Sequence, residues 1–464
     1  MSGSLLSSRA ETFGPRWRDY WGSVWHRQVP WHAERIRCFL APSAGRADLG
    51  ADPERNPQPL VSDFPRGKRP FLGVVTQTPE GTPSPDSGIL ELNDDGHLLT
   101  IAPTRSGKGA AHIVPNLLLY AGSCLVIDIK GENYDITAAH RARMFDGARI
   151  IRFAPFEPNT DTYNPVDFIR VGQNGHPSDD TFDDARLLAE MLIPTGIREE
   201  FWDIEARNLL TMLLYHVAVN YPGSRGERNM ASVAHLLFRP SDEVSLDPAS
   251  KGRGLDLSLA EIAEDAADLD LPVLKALHSA FVEHEPKVRS GIVSTCRSRM
   301  QVWLSPNLQR ATARSSFQFS ELKASMCRPI DENPAPTTIY VVIPPEYLSE
   351  YRPILRVMAG LAAVELTRPA SWARRPGYRL VPPCPVLLLL DEFPALGAIR
   401  PIANGLAYLA GYGVQVWTFA QSLGQLKDLY GENWTTFAAN AAAISYFGVT
   451  DTDLAELISR QLGT

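Results

Sequence analysis

The sequence predicts an α/β fold: a mostly parallel sheet whose strands are separated by helices and interrupted once by a long helical insertion. Three observations carry this expectation. A strand, a Gly-containing turn and a helix-like run occupy residues 97–120, and a second apolar run follows within a few residues at Cys124–Asp128, which is the rhythm of a βαβ unit. Later apolar runs at 338–343, 385–390, 414–419 and 443–447 alternate with helical patterns. Between the two groups, residues 179–322 show helical periodicity.

Taken in order, the chain opens with Trp17, Trp21 and Trp25 at helical spacing beside Arg16, Arg18 and Arg27, followed by a polar, Pro-containing stretch from Pro42 to Pro65. This reads as an arm and linker over residues 1–66. The tryptophan stripe suits packing on the protein's own core or a partner, with a lipid interface as the minor reading. Short strand-like runs follow at Phe71–Val75 and His97–Ala102, then the turn, then a helix over Ala110–Tyr120. In the insertion, Ala185, Leu188, Met191 and Leu192 share one helical face, and Leu209, Leu210, Leu213, Leu214 and Val217 continue the pattern. No repeat of fixed period is present.

Composition narrows the function classes. At 464 residues, 44% hydrophobic and 21% charged, the chain is long enough for several domains and close to the globular average, so neither a disordered nor a membrane-embedded protein fits. The net charge of −8 argues against an overall basic nucleic-acid wrapper but allows a local basic channel. Cys38, Cys124, Cys296, Cys327 and Cys384 form no Cys-x-x-Cys pair, and the histidines form no metal spacing, so a disulfide framework and a zinc centre are both unexpected and a reducing compartment is the simplest reading. No window reaches 18 consecutive apolar residues and no signal sequence stands at the N-terminus, so the chain is expected neither to span a membrane nor to be exported.

Four stretches carry chemistry. Ala102-Pro-Thr-Arg-Ser-Gly-Lys-Gly109 follows a strand and opens a helix, the context in which backbone N–H groups and a helix N-terminus cradle phosphate. Thr104, Arg105, Ser106, Gly107, Lys108 and Gly109 are the candidate phosphate-binding residues, with Lys108 reaching between the β- and γ-phosphates. Strict GxxxxGK[ST] has Gly where Ala102 stands and Ser or Thr where Gly109 stands, and read alone the stretch also suits an ordinary glycine turn. An apolar strand ends in Asp391 and Glu392. At the C-terminal edge of a parallel sheet such a pair supplies a Mg²⁺ ligand, direct or through water, in Asp391 and a base for an attacking water in Glu392. A strand that simply stops at solvated acids is the other reading. Gln421, past the next strand, is placed to sense a γ-phosphate or orient water, or to bond backbone as a loop amide. Asp128-Ile-Lys-Gly-Glu132 ends the strand after the first helix, either on the same edge or as a charged turn.

Together these stretches resemble the type IV secretion coupling proteins, the conjugative DNA-transfer ATPases. The resemblance rests on residues 102–109 and 128–132, Arg-Phe-Ala-Pro-Phe at 152–156 and Tyr-Asn-Pro at 163–165. It continues through Phe-Trp-Asp-Ile-Glu-Ala-Arg at 201–207, Leu-Asp-Glu-Phe-Pro-Ala-Leu-Gly at 390–397 and Ala-Gln-Ser-Leu-Gly-Gln-Leu at 420–426, and it covers about residues 97–464. It implies a RecA-like P-loop nucleotide-binding domain formed by residues 67–170 and 336–464, with an all-helical inserted domain at 171–335 associated with substrate recognition. Ala102 and Gly109 are ordinary in that family, and Mg²⁺ would then use Thr104, Ser106 or water in place of the missing hydroxyl. The implied activity is ATP hydrolysis with Mg²⁺, in a homo-hexamer that recruits and drives DNA, single-stranded and attached to a relaxase, or protein, toward the type IV secretion channel. A non-pumping, nucleotide-gated docking platform for relaxosome or effector proteins is the alternative.

The resemblance places the protein in the bacterial cytoplasm, peripheral at the inner membrane. Relatives commonly begin with two membrane-spanning helices, which are not read here, so peripheral recruitment is expected; relatives also continue beyond the position of Thr464, which leaves open a truncated member lacking the final strand. Arg352 and Arg356 are the arginine-finger candidates. The segment from Lys287 to Arg314 holds Lys287, Arg289, Arg297, Arg299, Arg310 and Arg314 with no acidic residue, and Trp303 among them is a candidate stacking ring for single-stranded DNA. A solvated helix face, or arginines serving a neighbour's nucleotide site, is the competing reading.

Overall fold

The computed structural model describes residues 39–40, 68–75, 88–172, 175–194, 200–240, 254–449 and 452–462. The stripe of Trp17, Trp21 and Trp25 lies outside the described residues. The strands are β1 (Phe39–Leu40), β2 (Phe71–Val75), β3 (Gly88–Glu91), β4 (His97–Ile101), β5 (Cys124–Ile127), β6 (Arg149–Phe153), β7 (Thr337–Val341), β8 (Val386–Leu390), β9 (Val414–Ala420) and β10 (Ala441–Tyr446). Eight of them form one sheet in the order β1-β10-β4-β9-β8-β5-β7-β6, parallel throughout except for β1, which lies antiparallel along β10.

The first strand-like run, Phe71–Val75, does not enter this sheet. The flanks of β4 are taken by β10 and β9, so β2 pairs antiparallel with β3 as a separate ribbon. Asn116 docks the ribbon on the helix after the 102–109 loop, accepting from the Phe71 N–H at 2.8 Å and donating to the Phe71 carbonyl at 2.8 Å. Two main-sheet strands, β1 and β6, are not anticipated from the sequence. β1 lies in the stretch read as arm and linker, and β6 is an edge strand whose Arg149 and Arg152 interrupt the apolar run that marks the central strands.

Helices cover both faces. On one side lie α1 (Val114–Leu119) and α2 (Glu132–Met144); α1 is entered through a π-wound turn at Gly109–Ile113. Between β6 and β7 the described residues hold eight α-helices and no strand beyond an isolated bridge: α3 (Thr181–Leu192), α4 (Phe201–Asn220), α5 (Met230–Phe238), α6 (Gly254–Asp268), α7 (Pro272–Val282), α8 (Pro286–Met300), α9 (Pro306–Ala311) and α10 (Glu321–Cys327). After β7 come α11 (Leu348–Glu365), α12 (Arg400–Gly405), α13 (Leu423–Tyr430), α14 (Thr435–Ala439) and α15 (Thr452–Leu462). None of the described helices is long and apolar enough to cross a membrane.

Strands buried on both faces read as unbroken apolar runs, and their period of two sorts the side chains into two cores. Leu388 and Leu390 of β8 join Leu99, Ile127 and Val341 on the face that packs α3 and α11, whereas Leu387 and Leu389 join Val126, Tyr340 and Trp417 on the α1 face. Trp417 is fully buried and stacked on Phe419, and its indole N–H donates to Thr100 Oγ1 at 2.9 Å. The Thr100 hydroxyl lies 3.2 Å from Nδ1 of His112, in the π-wound turn, and burial holds that imidazole neutral by lowering its pKa to about 4. The 102–109 loop is therefore tied to the sheet from beneath. Trp417→Ala should lose about 3–5 kcal/mol through cavity formation and the orphaned Thr100 hydroxyl, read as a lower urea midpoint with unchanged slope; a midpoint within error of wild type would remove Trp417 from the load on this core.

Candidate functional site

Parallel strands present all their C-terminal ends on one edge, and register decides which ends are neighbours. Ile101 at the end of β4 is level with Ala420 of β9, and Leu390 at the end of β8 is level with Thr418 of β9 and Ile127 of β5. The residues that follow are thus brought together: the 102–109 loop after β4, Asp128 after β5, Asp391 and Glu392 after β8, and Gln421 after β9. The loop is anchored at its start by the Ala102 N–H donating to the Ala420 carbonyl at 2.8 Å.

Within the loop, Arg105 and Gly107 both have positive φ, 63° and 90°. Gly107 suits that conformation because it lacks a Cβ. The left-handed turn at exposed Arg105 is strained backbone of the kind that clusters at ligand-binding sites. Glu392, at φ 49°, is a second such residue on the facing loop. A Cβ at Gly109 would meet open space, so no packing demands glycine at the position where the strict motif has a hydroxyl residue.

Lys108 is the centre of the site. Its Nζ lies 3.0 Å from Asp391 Oδ1 and also contacts Glu392 Oε1, with Lys108 side-chain exposure only 13%. Burial alone would lower the Lys108 pKa, but the two carboxylates together raise it above its ordinary value, so the ammonium stays charged. Asp391 is moved up by burial, which outweighs the pull of Lys108. The second Glu392 oxygen accepts from Gln421 Nε2 at 2.8 Å, and Gln421 Oε1 in turn accepts from the Thr104 hydroxyl at 3.3 Å. Lys108, Asp391, Glu392, Gln421 and Thr104 therefore form one connected polar network. Ser106 Oγ is buried with no hydrogen-bond partner, an orphaned oxygen donor in the same loop. A cavity of about 320 Å³ opens beside the network, lined by Pro103, Thr104, Gln421, Ser422, Gln425, Val449 and Leu454.

Asp128 is 2% exposed, whereas Lys130 and Glu132 of the same stretch are exposed. Its Oδ2 accepts from the Tyr134 N–H at 2.8 Å and its Oδ1 from Asn133 Nδ2 at 3.2 Å, fixing the start of α2. Burial nonetheless raises its pKa to about 6, with the Asp391 charge adding to the rise. The folded state then keeps a proton that the unfolded chain releases, so this residue's contribution to stability is present at low pH and is lost as pH rises from about 4 to about 6. Asp128→Asn should flatten that fall by about 2–3 kcal/mol, measured as urea stability at pH 4 and pH 7; an unchanged difference between the two pH values would contradict it.

Gln425 is a site residue not singled out from the sequence. Its Oε1 accepts from the Gln421 N–H at 3.0 Å, and its own N–H donates to Ser422 Oγ, the N-cap of α13. The signal was present as Ser422-x-x-Gln425, the spacing of a capping box, which here holds Gln421 in place.

Two expectations are corrected. Trp303 is 1% exposed and belongs to the core, so it offers no stacking surface. In the same segment Arg297 donates to the Leu237 carbonyl and lies over Phe238, Arg299 pairs with Asp203, and Arg310 donates to the Pro155 and Glu157 carbonyls, so these cations are already tied within the fold. Arg356 is no arginine finger for a neighbour: it is buried, and its guanidinium donates to the Met191 and Leu192 carbonyls, closing the C-terminus of α3. Burial lowers its pKa to about 10, which leaves it charged at neutral pH. Arg352, exposed one turn earlier, remains the candidate.

The family model described as type IV secretory system conjugative DNA transfer matches residues 71–464. A conjugal transfer protein TraG of Escherichia coli is 26% identical over 397 residues, which is 82% of this chain and 57% of the relative. Protein VirD4 of Agrobacterium fabrum (strain C58 / ATCC 33970) is 25% identical over 386 residues, 81% of this chain and 50% of the relative. The chain thus spans about half the length of the curated relatives it matches. Among solved structures, the plasmid coupling protein TrwB in complex with the non-hydrolysable ATP analogue ADPNP superposes with a TM-score of 0.52 at 16% identity, covering 81% of this chain and 77% of that one. TrwB in complex with ADP and Mg²⁺ gives 0.51 at 17% identity, covering 77% and 72%. The likeness bears out the expected RecA-like α/β fold.

Proposed function

Since the chain belongs to the type IV secretory system conjugative DNA transfer family, we propose that it is a coupling ATPase, which binds ATP with Mg²⁺ on the 102–109 loop and uses hydrolysis to drive DNA or nucleoprotein toward a secretion channel. The observation that carries this reading is the convergence of Lys108, Asp391, Glu392, Gln421 and Thr104 from the ends of three parallel strands into one network.

Without a phosphate ligand the Lys108 ammonium is shared between two carboxylates. An incoming triphosphate competes for it, and as Lys108 turns to the phosphates Glu392 is released to accept a proton from the attacking water. Gln421, held by Gln425 from behind, keeps its amide at the place where water and the terminal phosphate meet. The donor set suits Mg²⁺, because Asp391 is a hard carboxylate oxygen and Ser106 Oγ is an oxygen without a partner; bound by them, Mg²⁺ would supply charge neutralisation to the phosphates. The bound nucleotides of the TrwB structures support the same ligand class. Assembly as a homo-hexamer, with Arg352 reaching a neighbouring site, recruitment to the inner membrane and engagement of channel components belong to the same proposal.

The decisive experiment is ATP hydrolysis by the full chain with Mg²⁺, with and without single-stranded DNA. Turnover that rises with DNA is the expected result. Binding of ATP without turnover in either condition would favour the docking platform, and absence of ATP binding would overturn the site assignment altogether.

A further inference from the structure

On α4 and α6, neither of which carries a residue of the phosphate site, His216 is completely buried and its Nε2 has no hydrogen-bond partner. That nitrogen faces Asp265 Oδ2 at 3.7 Å, beyond hydrogen-bond reach. Glu261 lies one turn before Asp265 on the same face of α6, and one donor atom from each of His216, Glu261 and Asp265 falls within 4.8 Å of the others. A fully buried nitrogen directed at two carboxylates is what distinguishes this group from an ordinary acidic surface.

The surroundings support the three groups as ligands. Nδ1 of His216 sits 3.1 Å from the Asn220 amide, whose Oδ1 is buried and unbonded as oriented. The two ends of that amide are nearly isosteric, so with the oxygen turned inward it accepts from Nδ1–H and fixes the tautomer whose Nε2 lone pair points at the carboxylates. Glu261 is itself held, by the Tyr221 hydroxyl on Oε1 at 3.1 Å and by Arg239 on Oε2 at 2.9 Å, which is how ligating carboxylates are commonly oriented. The side chains of Glu261 and Asp265 are each 38% exposed, so the cluster is open to ions and water on one side while the imidazole closes the other.

We propose that His216, Glu261 and Asp265 form a zinc site that clips the end of α4 to α6, with the remaining coordination position taken by water. One imidazole and two carboxylates are a borderline nitrogen and oxygen set, which suits zinc better than magnesium or calcium. Contraction of the three donors to metal-bond distances draws the two helices together, so the ion stabilises the helical segment through linkage.

The test uses the full chain, stripped with a chelator and free of nucleotide, titrated calorimetrically with zinc chloride and, as a control, magnesium chloride. One zinc per chain is expected. Asp265→Asn, at a half-exposed position that folding tolerates, should weaken zinc by at least about 10²-fold, more than the roughly 10–100-fold of losing a supporting hydrogen-bond partner, which is the effect expected for Asn220→Ala. Zinc should also raise the melting temperature of the wild type and not of Asp265→Asn, while ATP affinity stays the same in both. Equal zinc affinity in the wild type and Asp265→Asn would place the ion elsewhere and overturn the proposal. Absence of zinc binding, or a melting temperature that rises on acidification without responding to zinc, would overturn it in favour of a protonated His216 paired with Asp265.

Discussion

Glu392→Gln is expected to bind ATP and hydrolyse it about 10²–10⁴-fold more slowly, the range attributed to a general base. The substitution keeps the shape of the side chain and removes its ability to take a proton. It also disturbs the network in a definite direction. One Glu392 oxygen faces the Lys108 ammonium and the other accepts from Gln421 Nε2. A glutamine here keeps its oxygen toward Lys108 and presents its NH₂ to Gln421, which must turn over to accept, so that its own NH₂ then donates to the Thr104 hydroxyl instead of its oxygen accepting from it. Binding is preserved because Lys108 then has one competing carboxylate fewer. Single-turnover hydrolysis beside calorimetric ATP binding separates the two quantities, and wild-type turnover would reject Glu392 as the base.

Lys108→Ala should lose most ATP affinity. Removing a hydrogen bond to a charged group costs about 1.5–3 kcal/mol, roughly a 10–150-fold loss in affinity. Here the loss should lie at or beyond the upper end, because Asp391 and Glu392 are left without their cation and face the polyphosphate with uncompensated negative charge. Calorimetry with a non-hydrolysable ATP analogue measures it, with circular dichroism to establish that the variant is folded. Affinity within a few-fold of wild type would mean that the phosphates do not sit at this loop.

The pieces of the site were legible in the sequence because each follows a strand that announces itself. Val386–Leu390 is apolar at every position, and the acids after it can only stand at a strand end. Their association was not legible, since it depends on strand order: β8 and β9 lie between β4 and β5, although the chain runs from β4 through α1 directly to β5. That order brings Glu392 and Gln421, distant in sequence from Lys108, within bonding reach of it or of each other, and it leaves Phe71–Val75 to a separate ribbon. Where the sequence misled, burial was the reason. Arg356 and Trp303 read as a free cation and a free ring, yet one closes the end of α3 and the other fills the core between helices.

Periodicity and local chemistry by themselves determined the α/β class, the helical character of residues 179–322, the Gly-containing strand-to-helix loop at 102–109 and the acidic strand end, because these depend on neighbours a few residues apart. Tertiary structure alone decided that Lys108 is shared by two carboxylates, that Asp128 is buried enough for its pKa to reach about 6, and that His216 meets Glu261 and Asp265 across two helices. Each of these is set by which surfaces pack together and how much water they exclude, and a strand or helix pattern carries no record of the partner it will bury against.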